Sequence, residues 1–130
     1  MNEKVQYLTI LVVDDEEDIL DILQEDLRDE GVNVLLASSA ADAVVALKKE
    51  SVDVVLSDLH MDKGSGWDLL SYIHGLSEPS HRPLVYFMSG FATLSEEEIH
   101  QHGVCAVYQK PMDIEEFVTD IQERFQKKAS

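Results

Sequence analysis

Five short aliphatic runs, separated by segments with helical spacing, constrain the fold of this 130-residue chain more than any other feature. The runs show little alternation of apolar and polar residues, which is typical of strands buried on both faces of a parallel sheet. They occupy residues 8–13, 32–37, 52–57, 84–88 and 104–108. The pattern therefore predicts five strands, each followed by a helix.

The segments between the runs carry apolar residues three or four positions apart, which is the spacing of one helix face. Ser39, Ser95 and Asp113 stand where the second, fourth and fifth helices are expected to begin, and each can cap a helix. Glu98 and Glu116 complete the pattern of a capping box. The apolar positions of the first, second and last helices are Ile19, Ile22, Leu23 and Leu27; Ala40, Ala43, Val44 and Leu47; and Ile114, Phe117, Val118, Ile121 and Phe125.

The ends of the helices and their order predict the architecture. Gly31, Gly75 and Gly103 each follow a helical segment, where a left-handed residue commonly ends a helix. Alternating strands and helices imply right-handed crossovers and a parallel sheet covered on both faces. We predict a doubly wound α/β fold in a single domain over residues 1–130, with a core of about residues 7–127.

The charge balance excludes several classes of partner. The chain has 26 acidic and 10 basic residues, and its formal net charge of -16 repels nucleic-acid backbones and anionic membranes. No apolar run approaches the roughly 20 residues that span a bilayer, and the amino terminus lacks a signal-peptide pattern. The single cysteine, Cys105, permits no internal disulfide and is predicted to be a small buried hydrophobe. We expect a cytoplasmic protein without direct nucleic-acid or membrane binding.

Reactive side chains are concentrated directly after the predicted strands, the edge at which doubly wound sheets bind ligands. They are Asp14 and Asp15 after the first strand, Asp58 after the third, Ser89 after the fourth and Lys110 after the fifth. Like unit charges 4 Å apart repel by about 1 kcal/mol in water and about 4 kcal/mol at an effective dielectric near 20. Converging carboxylates therefore require a cation, and oxygen-only ligands open to water suit Mg²⁺.

A carboxylate beside such a cation, with a lysine and a serine hydroxyl nearby, has the parts for phosphoryl transfer to aspartate. In this combination the chain resembles the receiver-domain family of two-component response regulators, over nearly its whole length. The resemblance implies a (βα)5 flavodoxin-like sandwich. The matching features are Asp14-Asp15, Ser57-Asp58, the turn Met88-Ser89-Gly90 and the pair Lys110-Pro111.

The resemblance assigns roles around the metal. It implies that Asp58 is the phosphoacceptor and that Asp15 is a direct ligand of Mg²⁺. Asp14 is expected to act largely through metal-bound water, and the backbone carbonyl of His60 to supply a further metal contact.

The resemblance also assigns residues that respond to the phosphoryl group. Lys110 is expected to pair with the group, and Ser89 to donate a hydrogen bond to it once it is attached. Tyr108 matches the aromatic switch position of the family. Phosphorylation would then shift the surface made by the fourth helix, fifth strand and fifth helix.

Two parts of the motif depart from the family or vary within it. Many receivers have a proline four residues after the phosphoacceptor, where this chain has Asp62, although Gly66 does match. The path of this loop is therefore open, and the added carboxylate is expected to weaken phosphodonor binding or slow acceptance. His60 and Phe91 occupy variable positions that influence hydrolysis in the family, and Phe91 is expected to shield the acyl phosphate.

Simpler interpretations of the same residues exist. Asp14 and Asp15 could belong to an acidic first helical turn favoured by the helix dipole. Asp58 could cap a turn, Lys110 could be a solvated lysine, and Tyr108 could serve only packing. The combination favours function. Among whole-chain alternatives, a pseudo-receiver would not accept phosphoryl groups, and an aspartyl-phosphate phosphatase would need a second aspartate where His60 stands. A flavin carrier would need a phosphate cradle of Gly, Ser and Thr, which the Asp-rich first loop of this chain does not offer.

The resemblance implies a histidine kinase or histidine phosphotransfer domain as phosphodonor, and a downstream effector or an attached output domain. It also allows a dimer through the fourth helix, fifth strand and fifth helix. Apart from its own phosphorylation and dephosphorylation, no enzymatic activity is expected. The sequence leaves open whether the chain is a stand-alone receiver or part of a longer regulator or hybrid kinase.

Overall fold

Parallel pairing of five strands organises the structure, a computed structural model that describes residues 8–76, 82–90 and 94–129, with side chains to residue 126. The strands are β1 (Thr9–Val13), β2 (Asn33–Ala37), β3 (Val54–Asp58), β4 (Leu84–Ser89) and β5 (Ala106–Gln109), in the spatial order β2-β1-β3-β4-β5. The helices are α1 (Glu17–Asp29), α2 (Ala40–Lys49), α3 (Gly66–His74), α4 (Glu96–Gln101) and α5 (Ile114–Ala129). The predicted doubly wound α/β fold is confirmed.

The core lies in two layers because successive side chains of a strand point to opposite faces of the sheet. In β1, Ile10 and Val12 pack with the buried residues of α1 and α5. Leu11 and Val13 pack on the other face with α2 and α3. These four residues are fully buried, so β1, an interior strand of the sheet, contributes to both layers. This two-sided burial explains why the strands read as continuous aliphatic runs.

The predicted helix starts are confirmed. The hydroxyl of Ser39 accepts a hydrogen bond from the amide of Asp42 at 3.1 Å. Ser95 and Glu98 form a reciprocal capping box. At the start of α5, the carboxylate of Asp113 accepts from the amide of Glu115 at 2.9 Å.

Three helices were predicted to end at a left-handed glycine, and one of these three predictions is wrong. Gly31 and Gly103 have φ of 88° and 71°, in the left-handed region that favours glycine. Gly75 has φ of -80° instead, because its amide continues the right-handed turn by donating to the carbonyls of Ser71 and Tyr72 at 3.1 Å.

Two predicted core residues are less buried than expected. Ile22 is 59% exposed, because Leu20, Leu23 and Leu27 already complete the buried face of α1. Cys105 is only partly buried, since it precedes the edge strand β5, which begins two residues later than predicted. Burial nonetheless raises the pKa of its thiol, so the thiolate form is disfavoured.

The other predicted bounds differ from the strands of the structure by two residues or fewer. Residue 7, the loop residues 77–81 and Phe91 lie outside the described residues. Within the described ranges, no helix is both long and apolar enough to cross a membrane.

Gly66 lets α3 begin directly against the end of β3. A β-carbon at this position would lie 2.8 Å from Cε1 of Phe87 and 2.9 Å from the backbone oxygen of Asp58. Both neighbours are buried, and one is backbone, so neither can move at little cost. The close approach therefore requires a residue without a side chain.

We expect Gly66→Ala to lower the free energy of unfolding by about 1–3 kcal/mol, the usual cost of overpacking. The sign is informative because Gly to Ala within a helix ordinarily stabilises by about 0.5–1 kcal/mol. Gly90→Ala is the matched control, since an added β-carbon there has no atom within 4 Å. Urea denaturation of both variants measures the difference, and equal stabilities would contradict the packing argument.

Candidate functional site

The candidate site lies at the carboxyl edge of the sheet, between β1 and β3. The strand order reverses here, because β2 lies on one side of β1 and β3 on the other. Val13 pairs with Ser57 in register, so the residues that follow them, Asp14 and Asp58, reach the edge at the same level. The topology thus brings together two carboxylates that are 44 positions apart in the chain.

Three carboxylates converge at this edge. Asp14, Asp15 and Asp58 each offer an oxygen, and these oxygens lie within 4.8 Å of one another. Asp14 is fully buried and Asp58 is 5% exposed, whereas Asp15 is half-buried. The group therefore has an inner wall of protein and an outer side that solvent can reach.

Lys110, which follows β5, provides the positive charge of the group. Its Nζ lies 2.8 Å from Oδ2 of Asp14 and 3.1 Å from Oδ2 of Asp58. A more exposed carboxylate, that of Glu16, lies 3.8 Å away. Burial acts to lower the pKa of Lys110, but the close carboxylates of Asp14 and Asp58 outweigh it and raise the pKa above the ordinary value. The lysine is therefore held as an ammonium between two acids.

Asp14 is the innermost acid of the site. Burial raises its pKa above the ordinary value, although Lys110 and a hydrogen bond of 2.9 Å from the amide of Glu16 to Oδ1 act in the opposite direction. Its buried Oδ2 is paired with Lys110 by distance, yet accepts no aligned hydrogen bond within the described residues. A buried oxygen with unused acceptor capacity is available to a cation or to its bound water.

The donor set fits a hard divalent cation. Three carboxylates and one ammonium leave a net charge of -2 when all four groups are ionised. All the candidate ligands are oxygens and one side of the group is open to water, which is the chemistry that Mg²⁺ prefers. Asp14, Asp15 and Asp58 are therefore the side chains that could hold such an ion.

The loop after β3 closes over the carboxylates. The amide of His60 donates to Oδ1 of Asp58 at 3.3 Å, and His60 forms an isolated bridge with Ser65. Across the site, the amide of Asp62 donates to Oδ2 of Asp15 at 2.8 Å. The Asp62 side chain is exposed. The sequence left the path of this loop open. In the structure the loop returns towards α3, and its backbone amides donate hydrogen bonds to two of the acids.

Ser89 and Tyr108 lie on the neighbouring strands. Ser89 is fully buried at the end of β4, where its carbonyl accepts a hydrogen bond of 2.8 Å from the amide of Lys110. Tyr108 pairs with Met88 in register and is half-buried. Its ring stacks on that of Tyr86, with centroids 6.1 Å apart, so Tyr108 lies outside the group of acids.

Two contacts of the site were not predicted from the sequence. Glu16 reaches Lys110, and the Asp62 amide reaches Asp15. The run of acids after Asp15 gave a weak signal for the first contact. No sequence signal predicted the second, because a backbone amide is present in every residue except proline. The metal role of the His60 carbonyl and the shielding role of Phe91 stay predictions.

Comparisons with known proteins agree with this geometry. Residues 10–122 match the family model of the response regulator receiver domain. The transcriptional regulatory protein GlrR of Escherichia coli is 33% identical over 104 residues, which cover 80% of this chain and 23% of that protein. The two-component response regulator ARR14 of Arabidopsis thaliana is 37% identical over 111 residues, which cover 84% of this chain and 28% of that protein. The chain thus spans about a quarter of the length of these two relatives.

Solved structures give the same result. A response regulator receiver domain protein from Clostridium thermocellum superimposes with a TM-score of 0.81 at 29% identity, covering 94% of this chain and 97% of that one. A CheY-like receiver domain protein from Methanospirillum hungatei gives a TM-score of 0.80 at 26% identity, covering 94% and 96%. With the family model matched over most of its length, the chain belongs to the response regulator receiver domain family of two-component signalling proteins.

Proposed function

We propose that the chain accepts a phosphoryl group onto Asp58 in a magnesium-dependent reaction and changes conformation in response. The observation that carries this proposal is the position of Asp58. Its carboxylate is almost buried, lies 3.1 Å from an ammonium and has two further carboxylates beside it. A purely structural aspartate would gain little from two acidic neighbours, because like charges raise the free energy of the folded state.

The reaction follows from the groups around Asp58. One carboxylate oxygen attacks phosphorus, and the bond between phosphorus and a histidine nitrogen of the donor breaks. The electron pair of that bond stays on the leaving nitrogen, which takes a proton from solvent, so the donor histidine is released as a neutral imidazole. Lys110 lies within hydrogen-bond distance of Asp58 and would stabilise the charge on the transferred oxygens. A bound Mg²⁺ held by Asp14, Asp15 and Asp58 would neutralise further charge of the phosphoryl group.

The remaining roles extend this proposal. The His60 carbonyl would supply a metal contact, Ser89 would hydrogen-bond the attached phosphoryl group, and Tyr108 would repack. The donor would be a histidine kinase or a histidine phosphotransfer domain. Because the relatives GlrR and ARR14 are about four times as long as the matched region, we propose that the signal passes to an attached output domain or to a separate effector.

We expect Asp58→Asn to abolish phosphorylation by a small phosphodonor such as acetyl phosphate, while the fold is kept. The amide has nearly the shape of the carboxylate but is not a nucleophile. Asp26→Asn, on the exposed face of α1, is the matched control. Intact mass spectrometry of both variants detects the added phosphoryl group, and far-ultraviolet circular dichroism checks the fold. Labelling of Asp58→Asn at the wild-type rate would exclude Asp58 as the acceptor.

We expect Mg²⁺ to bind with a Kd in the millimolar to submillimolar range, and Asp15→Ala to weaken binding by about tenfold or more. The loss of one charged ligand is severe in a site with few ligands. Asp26→Ala removes an equal charge far from the strand ends and serves as the reference. Calorimetric titration measures both affinities. An unchanged affinity in Asp15→Ala would remove Asp15 from the ligand set.

The switch proposal rests on the surroundings of Tyr108. The ring lies beside Tyr86 and Phe117, with the Phe117 centroid 6.0 Å away. A cavity of about 520 Å³ between α4 and β5 is lined by Ile99 and Tyr108. Movement of Ser89 towards a phosphoryl group would let Tyr108 exchange these contacts for the cavity. Two packed arrangements with a barrier between them are typical of such switches.

The energetics require more than Ser89. To raise the active form from 1% to 99%, the phosphoryl group must favour it by about 5.5 kcal/mol. One neutral hydrogen bond supplies about 0.5–1.5 kcal/mol. Lys110 and the metal must therefore contribute most of the free energy. The role of Ser89 is then chiefly to couple the phosphoryl group to Tyr108.

We expect beryllofluoride, which mimics the phosphoryl group on aspartate, to shift amide resonances from the strand ends as far as Tyr108 and α5. In Ser89→Ala, the shifts should stay near Asp58. Ser71→Ala removes an exposed hydroxyl from α3 and is the matched control. Two-dimensional amide NMR makes the comparison. If Ser89→Ala responds as far out as the wild type, Ser89 does not couple the site to Tyr108.

A further inference from the structure

The amide of Asp62 forms a contact that a proline at this position could not form. Its N–H donates to Oδ2 of Asp15 at 2.8 Å and joins two loops across 47 residues of chain. Many receivers have proline at this position, and proline has no N–H. The hydrogen bond therefore depends on the departure from the pattern, although the donor is backbone.

The contact acts on Asp15, the least buried of the three acids. Asp14 is fully buried and Asp58 nearly so, but Asp15 is half-buried, so packing restricts its side chain least. The loop that carries Asp62 is itself fixed by the bridge between His60 and Ser65 and by the amide of Gly66, which donates to the carbonyl of Leu59 at 3.1 Å. A fixed loop can hold a less restricted carboxylate in place.

We propose that the backbone amide of Asp62 is a positioning group that orients the Asp15 carboxylate for Mg²⁺. This inference rests on the proposed magnesium-dependent function. An ionised carboxylate offers about four acceptor sites on its two oxygens, so one N–H leaves room for a cation. The hydrogen bond also restricts the side chain before the metal binds, and groups that orient metal ligands in this way commonly raise metal affinity.

The test separates the amide from the side chain at the same position. Asp62→Pro removes both the N–H and the carboxylate, whereas Asp62→Ala removes the carboxylate and keeps the N–H. We expect Asp62→Pro to bind Mg²⁺ about fivefold more weakly than Asp62→Ala, a ratio that corresponds to about 1 kcal/mol at 25 °C. Calorimetric titration of both variants gives the ratio. Equal affinities, or tighter binding by Asp62→Pro, would overturn the proposal.

A second measurement needs neither proline nor metal. Amide hydrogen exchange of Asp62 is followed by NMR in the metal-free wild-type protein and in Asp15→Ala. An amide in an exposed loop exchanges slowly only if it is hydrogen-bonded, so we expect exchange to become at least about fivefold faster in Asp15→Ala. Ser95, whose amide donates to Glu98 in another exposed segment, is the internal reference and should be unaffected. Unchanged exchange at Asp62 would overturn the proposal even if Asp62→Pro does not fold.

The two proposals fail in different ways. If Asp15→Ala leaves the affinity for Mg²⁺ unchanged, the assignment of Asp15 as a metal ligand is wrong and the positioning role falls with it. If Asp15→Ala weakens binding but Asp62→Pro and Asp62→Ala bind equally well, only the positioning role is wrong.

Discussion

The lateral pairing of β1 with β3 is the constraint on which the rest of the molecule depends. These strands are not consecutive, so the chain must leave β1, form β2 on one side and return through α2 to the other side. Both strands are covered by helices on both faces, so a one-residue slip would move every apolar side chain to the wrong layer. The same register that keeps the core intact places Asp14 level with Asp58.

This geometry has an electrostatic cost, because it brings carboxylates together at a buried edge of the sheet. Burial imposes a desolvation cost on the carboxylate of Asp14, and repulsion by the neighbouring Asp58 adds to it, so the pKa of Asp14 is raised. Lys110 offsets part of both costs, but one ammonium cannot neutralise three acids. A site left with excess negative charge is poised to bind a cation and, with it, an anionic group. Groups with perturbed pKa values cluster at functional sites.

A second polar network connects the sheet to α5 and bounds the region around Tyr108. The hydroxyl of Tyr86 donates to Oδ2 of Asp120 at 2.5 Å, and the guanidinium of Arg124 donates to the same oxygen at 2.7 Å. Burial, reinforced by the hydrogen bond to Asp120, raises the pKa of Tyr86, so the phenol stays protonated as a donor. Tyr86 is thereby fixed while its neighbour Tyr108 is only half-buried. Of these two rings, Tyr108 can therefore change its packing at the lower cost in free energy.

The sequence by itself determined the order of strands and helices along the chain, the helix starts at Ser39 and Ser95, and the reactive residues at the strand ends. These features depend on periodicity, capping and local residue type, which are properties of neighbouring positions. It misjudged Ile22, Gly75 and Cys105, whose exposure or backbone angle depends on what packs beside them. Only the tertiary structure decided that Lys110 lies between Asp14 and Asp58, and that the amide of Asp62 reaches Asp15. Those contacts join segments far apart in the chain, and a backbone donor has no signature in residue type beyond the absence of proline, so distance and register had to be known first.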